Sequence, residues 1–488
     1  MPTNDPVAFR PLAATESESS AAAPAVSSDV EIDTSTRPAS PGLRGMWALF
    51  LGLGVLMVGN GLNGALIGVR SGTEGFSVVV TGVIMAAYFA GFLIAPTSVV
   101  RMIASVGHIR VFAGLASTAS SAVLVHSVLV TPVAWVAMRF VFGFCFAGLY
   151  IVIESWLNEL STPVNRGRTL AVYMIVSMSG LGIGQYLIAA ADPSTFRLFV
   201  LSSVLVSMAL VPITLAGTAK VPEIRLPEPV SVRELWRVVP TGVTGSFSTG
   251  AATGVLFGLS AVYAAGVGFS IERTAVFLLA PTVGGVAMQW PVGKLSDRLR
   301  RRTVIFGVSV AAAGLCALGV VVPSDHPLVL LIMLGIGGAL FPLYSLVVSY
   351  TLDWTAVEKT VGVSGTLVRT NGTGALVGPL VTAPLMAWLG PALFYWAMGG
   401  FFAVVIAFVS YRILFREALP QERERPYVPF PARATSVAFK LIAAPKRVGQ
   451  RVGKNVVTRQ HPQRSVAEES GEGNSALPLD DGGRSADG

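Results

Sequence analysis

The apolar positions of this chain fall in runs too long for the core-facing stripe of a soluble helix. A window of about 20 residues, the length that crosses a hydrocarbon core, predicts spans near 46–68, 76–98, 109–130, 132–156, 168–190 and 196–217. A polar stretch from Lys220 to Arg237 interrupts the pattern, and six more spans follow near 238–262, 271–291, 303–322, 327–350, 361–387 and 391–412. The predicted fold is all-α: a polytopic membrane protein with twelve transmembrane helices in two six-helix pseudo-repeats. Its domains read as a disordered cytoplasmic N-tail (1–44), an N-terminal bundle (45–217), a cytoplasmic linker (218–237), a C-terminal bundle (238–412) and a cytoplasmic C-tail (413–488), basic then acidic and largely disordered. Within that tail, 430–453 alternates apolar and basic residues, which fits equally a helix on an anionic lipid surface or a solvated basic segment.

The two halves echo each other. Val111-Phe112 and Leu149-Tyr150 recur as Ile305-Phe306 and Leu343-Tyr344, each 194 residues on, and Gly64, Leu66 and Gly68 recur as Gly254, Leu256 and Gly258 at a shift of 190. Near-equal displacements point to an internal duplication with a binding site between the halves.

Charge then fixes orientation. Of 35 Lys and Arg, a cytoplasmic N-terminus puts 30 in inside segments, three outside (Arg70, Arg197, Arg273) and two within spans. Both termini are thus expected in the cytoplasm of a bacterial plasma (inner) membrane. The net charge of +8 is an orientation signal and not a nucleic-acid footprint.

Candidate chemistry is sparse. Charged residues make up 13% of the chain, against roughly 25% in soluble domains. Cys145 and Cys316 lie inside apolar runs, and the four histidines (His108, His126, His326, His461) lack metal spacing and read as loop or tail residues. There is no Walker loop and no Gly-x-Ser-x-Gly elbow, so no enzyme, catalytic residue, metal or cofactor is expected.

The charges inside the spans are the informative exceptions, because each costs about 2.5–3.5 kcal/mol at the bilayer centre even on insertion scales. At 100° per residue, Arg139, Gly143, Ala147, Tyr150 and Glu154 share an arc of about 80° on span 4, a stripe expected to face protein or water. Glu154 stands about 22 Å along the helix from Arg139, beyond contact. Arg139 and Arg369 therefore have no carboxylate at their depth; they can face a water-filled cavity, bond carbonyls or Tyr150 and Tyr344, or await an anionic cargo group. For Arg369, cargo or gate recognition and a structural arginine satisfied by nearby hydroxyls and amides stand as equal readings. Glu154 is the one near-membrane carboxylate on a cavity-side stripe; it either titrates during transport or pairs with Arg101, Arg166 or Arg168.

Between spans 8 and 9 runs Gly293-Lys-Leu-Ser-Asp297-Arg298-Leu-Arg300-Arg301-Arg302. A turn at Gly293, a carboxylate four residues on and a guanidinium cluster suit a charged latch in which Asp297 faces a helix dipole or an arginine. The spacing Gly-x-x-x-Asp-Arg-x-x-Arg-Arg resembles the signature loop of the major facilitator superfamily, and with twelve spans in two halves the resemblance covers 46–412. The first-half counterpart, Arg101 to Arg110, has no acidic residue and departs from the pattern. The resemblance implies that the second-half loop closes against Arg166 and Arg168 at the start of span 5. It also implies that Arg139-x-x-x-Gly143 is similar to a pattern of proton-linked members, with Arg139 in an inter-helix network. Polar positions on the spans that line the cavity in that family are Asn60, Asn63, Thr244, Ser248 and Tyr344.

Taken together, the sequence predicts a monomeric secondary carrier, alternating its access, that moves a small organic molecule, anionic on the reading in which the buried arginines await a cargo group, with proton-coupled efflux as the leading version. The competing reading is a membrane sensor or scaffold of the same fold that signals through its basic C-terminal tail.

Overall fold

The computed structural model describes residues 46–162, 165–215, 230–415 and Tyr427. Twelve helices among them are long and apolar enough to cross a membrane. They are α1 (Trp47–Thr73), α2 (Val78–Val106), α3 (His108–Val128), α4 (Pro132–Leu160), α5 (Arg166–Tyr186), α6 (Arg197–Thr214), α7 (Pro240–Gly266), α8 (Ile271–Arg298), α9 (Arg301–Val321), α10 (Leu328–Asp353), α11 (Thr360–Leu389) and α12 (Leu393–Phe415). No strand occurs among the described residues. The readings for 1–44, for most of the 218–237 linker and for the C-tail, including the amphipathic segment at 430–453, lie outside them. Val232–Val238, at the end of the linker, is a short helix started by Ser231, whose hydroxyl accepts the Glu234 N–H at 3.1 Å.

Ordinary start and stop chemistry sets the helix boundaries. Ser77, Thr131 and Ser270 accept N–H groups of the first turns of α2, α4 and α8, and Pro132 and Pro240 sit where a missing N–H costs nothing. Gly107, at φ +85°, turns the chain from α2 into α3.

Two expectations need correction. α8 continues through Arg298, so the loop expected over 293–302 shrinks to Leu299 and Arg300, and Gly293 lies within a helix instead of opening a turn. The apolar window ended span 8 too early because the charged residues here ride on the helix end that emerges from the apolar layer. Nor are His108 and His126 loop residues. Both are helical and buried; His108 stacks on Trp156, while His126 Nδ1 lies 2.6 Å from the Ala122 carbonyl and its ring packs on Trp135 and Phe199. Both rings are held by aromatic packing, and only His126 adds a backbone contact; both ring nitrogens of His108 and Nε2 of His126 are buried without a partner among the described residues.

Each half is built from two closely locked parallel helix pairs. α2 lies against α4 and α1 against α5; in the second half α8 lies against α10 and α7 against α11. Glycine makes each approach possible. A methyl group on Gly143 would strike the Tyr88 carbonyl, one on Gly184 that of Val58, one on Gly337 that of Pro281, and one on Gly250 that of Asn371. Small residues let backbones touch where lipid gives helices no hydrophobic reason to associate. The same two pairings in each half are the structural form of the duplication read from the sequence.

The helix ends at Trp47, Arg166, Arg298 and Phe415 lie on one side, the terminal face; the α1–α2 and α7–α8 turns lie on the other, the far face. Contacts between the halves gather toward the far face. Gly82 of α2 meets Pro379 and Ala383 of α11, Gly182 of α5 meets Leu279 of α8, and Gly68 of α1 meets Ala261 of α7. The halves are therefore shut toward the far face and parted toward the terminal face.

Gly143→Ala should destabilise the protein by about 1–3 kcal/mol through overpacking, whereas Gly114→Ala, with open space around it, should be neutral or slightly stabilising. Thermal unfolding of both variants in detergent checks this; equal melting points would contradict the interlock.

Candidate functional site

Where the halves meet, a cavity of about 20 Å³ is lined from both sides. α1 supplies Asn60, α2 Met85, Tyr88 and Phe89, α4 Arg139 and α5 Gln185, while α7 and α8 contribute Phe257 and Leu278. The Arg139 guanidinium donates from Nη1 to Asn63 Oδ1 at 2.8 Å and lies over the Tyr88 ring at 4.9 Å, which ties α1, α2 and α4 together. Arg139 is 4% exposed and Asn60 3%, and the Asn60 Nδ2 has no partner among the described residues. A buried amide donor left open costs about 1–3 kcal/mol, and the cavity beside it is about the size of one water. Gln185 Oε1 accepts from Thr282 Oγ1 of α8 at 3.0 Å and so closes the cavity across the halves.

Toward the terminal face the halves splay into a crevice of about 650 Å³. One wall is α5, through Met174, Ile175 and Met178; the other is α8 with Phe341 of α10. The walls are mainly apolar, and Gln289, Lys294 and Asp297 supply polar groups toward the mouth. The size is that of ordinary small-molecule sites.

The remaining sequence candidates fall in several places. Tyr150 donates to Met57 Sδ at 2.8 Å and packs near Phe92 within the first half. Glu154 is fully buried and accepts the Tyr173 hydroxyl of α5 at 2.7 Å. On α7, Thr244 is half-buried and Ser248 is buried, away from the central cavity. Tyr344 packs with Leu235, Val243 and Val363, also away from that cavity. Arg369 is exposed, and its guanidinium makes no hydrogen bond among the described residues. The neighbouring hydroxyls serve carbonyls instead: Thr366 bonds Val230, and Thr373 bonds Arg369's own carbonyl. Arg369 shares a helix face with Gly372, which meets Leu93, and with Leu376, which packs on the first half. It therefore stands one turn nearer the terminal face than the Gly372–Leu93 contact with α2, and it does not line the α5–α8 crevice.

The charged cluster between α8 and α9 splits into two devices. Arg301 is 1% exposed, forms a buried ion pair with Asp353 at the end of α10 and donates from Nε to Ser296 Oγ at 3.2 Å. Asp297, by contrast, is exposed and accepts the backbone N–H of Tyr427 at 2.9 Å. Among the described residues it does not touch Arg166 or Arg168; Arg166 is half-buried and Arg168 exposed. Arg298 is likewise exposed on the terminal face.

Sequence reasoning missed Tyr88, Gln185, Thr282, Asp353 and Tyr427. An acid at the end of span 10, level with the arginine cluster, could have flagged Asp353. Tyr88 and Thr282 carry no pattern that separates them from packing residues.

Removing one partner of the Arg301–Asp353 pair should cost about 3–5 kcal/mol, whereas replacing both with apolar residues should recover most of it. Thermal unfolding of Arg301→Gln, Asp353→Asn and the double variant Arg301→Met with Asp353→Leu measures this; additive losses would contradict a buried pair.

With this geometry in place, comparison with known proteins adds a family. The family model of the Major Facilitator Superfamily matches residues 49–343 and again 245–452. A curated relative from Yersinia pestis (strain Pestoides F), an "Uncharacterized MFS-type transporter", is 26% identical over 352 residues, covering 71% of this chain and 88% of the relative. YcaD of Escherichia fergusonii, described in the same words, is 25% identical, covering 72% and 89%. Among solved structures, the nucleoside transporter NupG superposes with a TM-score of 0.62 at 12% identity, covering 76% of this chain and 100% of its own. A bacterial homolog of the human lysosomal transporter Spinster, in an inward-facing and unoccupied conformation, gives 0.57 at 14%, covering 82% and 96%. At such identities the two structures speak for the fold alone.

Proposed function

The chain belongs to the major facilitator superfamily, and from that premise we propose that it is a secondary carrier that exports a small organic molecule by rocking its two halves about the central cavity. It is an integral membrane transporter and not an enzyme. We take it to act as a monomer in a bacterial inner membrane, with the terminal face cytoplasmic as the Lys and Arg distribution requires. The structure then corresponds to the state open to the cytoplasm, with the crevice as the entry route.

One observation carries the reading: Arg139, buried at the junction of the halves, lines the same small cavity as the unpartnered Asn60 amide. The pair offers a positive charge and a hydrogen-bond donor among Tyr88, Phe89 and Phe257, which suits an anionic or acceptor-rich cargo with a flat apolar part. Arg369, exposed on α11 to the terminal side of the Gly372–Leu93 contact, is a second positive charge that we assign to attracting the same cargo. Thr244, Ser248 and Tyr344 enter this account as second-half packing positions. Arginine keeps its proton, so energy coupling needs another group; the Glu154–Tyr173 pair is the one we assign to proton exchange. Export agrees with a mainly apolar entry crevice on the cytoplasmic side.

Counterflow in proteoliposomes, run with a panel of organic anions, cations and neutral solutes, with and without a pH gradient, tests this. An organic anion should be exchanged. Arg139→Gln should lower its transport roughly 10- to 100-fold, the worth of a charge-assisted bond, and Asn60→Ala should lower it less. Glu154→Gln should abolish gradient-driven accumulation while exchange continues. Exchange of cations alone, or full activity in Arg139→Gln, would contradict the anion assignment.

A further inference from the structure

One described residue lies beyond the last helix, and it is seated in the crevice. Tyr427 stands twelve residues past Phe415, the end of α12, between Pro426 and Pro429 in the sequence. Its ring lies over Gly293 of α8, close enough that a methyl group there would sit 2.5 Å from Cδ1. Gln289 Nε2 donates to its hydroxyl at 2.8 Å and to Ser345 Oγ of α10 at 3.0 Å. Its own N–H is taken by Asp297. Ring, hydroxyl and backbone are thus each received by a separate group on one wall, α8 with α10, and Gly293 supplies the room. Burial pushes the Tyr427 phenol above its ordinary range.

The opposite wall faces this contact. Ala171, Met174, Ile175 and Met178 of α5 line the same crevice as Tyr427. α5 and α8 already touch toward the far face, through Gly182 with Leu279 and Gln185 with Thr282, so closing the terminal face must bring these residues against α8 over Gly293. A tyrosine ring occupies that space, and the carboxylate that would meet the start of α5 is engaged by the tail backbone.

We propose that the C-terminal tail is a strap whose Tyr427 docks in the Gln289–Gly293–Asp297 slot of α8, holding the carrier open toward the terminal face until it leaves. The tail and the inner end of α5 compete for one surface. The proposal rests on the alternating-access reading above and adds to it a segment of the chain that sets the balance between the two states.

Spin labels on the full-length chain test it, at Gly167→Cys on α5 and Leu299→Cys after α8, both exposed positions on the terminal face. In liposomes the unmodified tail should give mainly the long distance. Tyr427→Ala should raise the short-distance population about tenfold, and Tyr427→Phe, which keeps the ring but loses the Gln289 bond, roughly fivefold. Gln289→Leu should match Tyr427→Phe. A synthetic peptide of residues 421–433 added to Tyr427→Ala should restore the long distance. Counterflow on the same proteins separates the two ideas. Active carriers whose distance distributions ignore every tail variant overturn the strap alone; absent flux with one fixed distance in all variants overturns alternating access as well.

Discussion

A bilayer offers helices neither water for their backbone groups nor a hydrophobic push toward one another, so close backbone contact has to hold this protein together. Glycine supplies it at Gly91 and Gly143, Gly61 and Gly184, Gly284 and Gly337, and Gly250 and Gly374, where any side chain would strike a neighbouring carbonyl. Each half thereby becomes two locked parallel pairs with little internal freedom. The softer surface is the one between halves, where the contacts gather toward the far face and the terminal side stands open. Function follows from that difference in stiffness, because a cavity at the junction of two rigid bodies is exposed to one side or the other as they rock.

The central cavity inherits its chemistry from the same arrangement. Arg139 is held by Asn63 and the Tyr88 ring, so its charge is positioned before any ligand arrives. Asn60 lacks such a partner and is correspondingly available. Gln185 and Thr282 bridge the halves beside it, so a ligand that competes for either would bear directly on the far-face closure.

Much of the fold was legible in the sequence because the bilayer imposes a length on every span and a charge bias on every loop. The six-plus-six count, the duplication and the superfamily resemblance all follow from those constraints. Helix ends were less legible: charged residues from Lys294 to Arg298 broke the apolar window while the backbone stayed helical beyond it. Histidine was misjudged at His126 because a polar side chain beside an apolar run can be turned inward onto Trp135 and Phe199, which no local pattern reveals. At the site, Asn60 and Arg139 were readable as rare polar groups at depth. Tyr427 was not, since its partners Gln289 and Asp297 are some 130 residues away in the chain and nothing local marks it.

The central claim is that two rigid halves rock about the Arg139 cavity, and paired distance measurements test it most directly. Label pairs across the halves on the far face, at Asp192 and Asp325, should lengthen in the same molecules in which the terminal-face pair shortens. A pair inside the first half, at Leu129 and Asp192, should hold one distance throughout. Cross-half distances that rise and fall together on both faces, or a within-half distance that changes with them, would contradict the account.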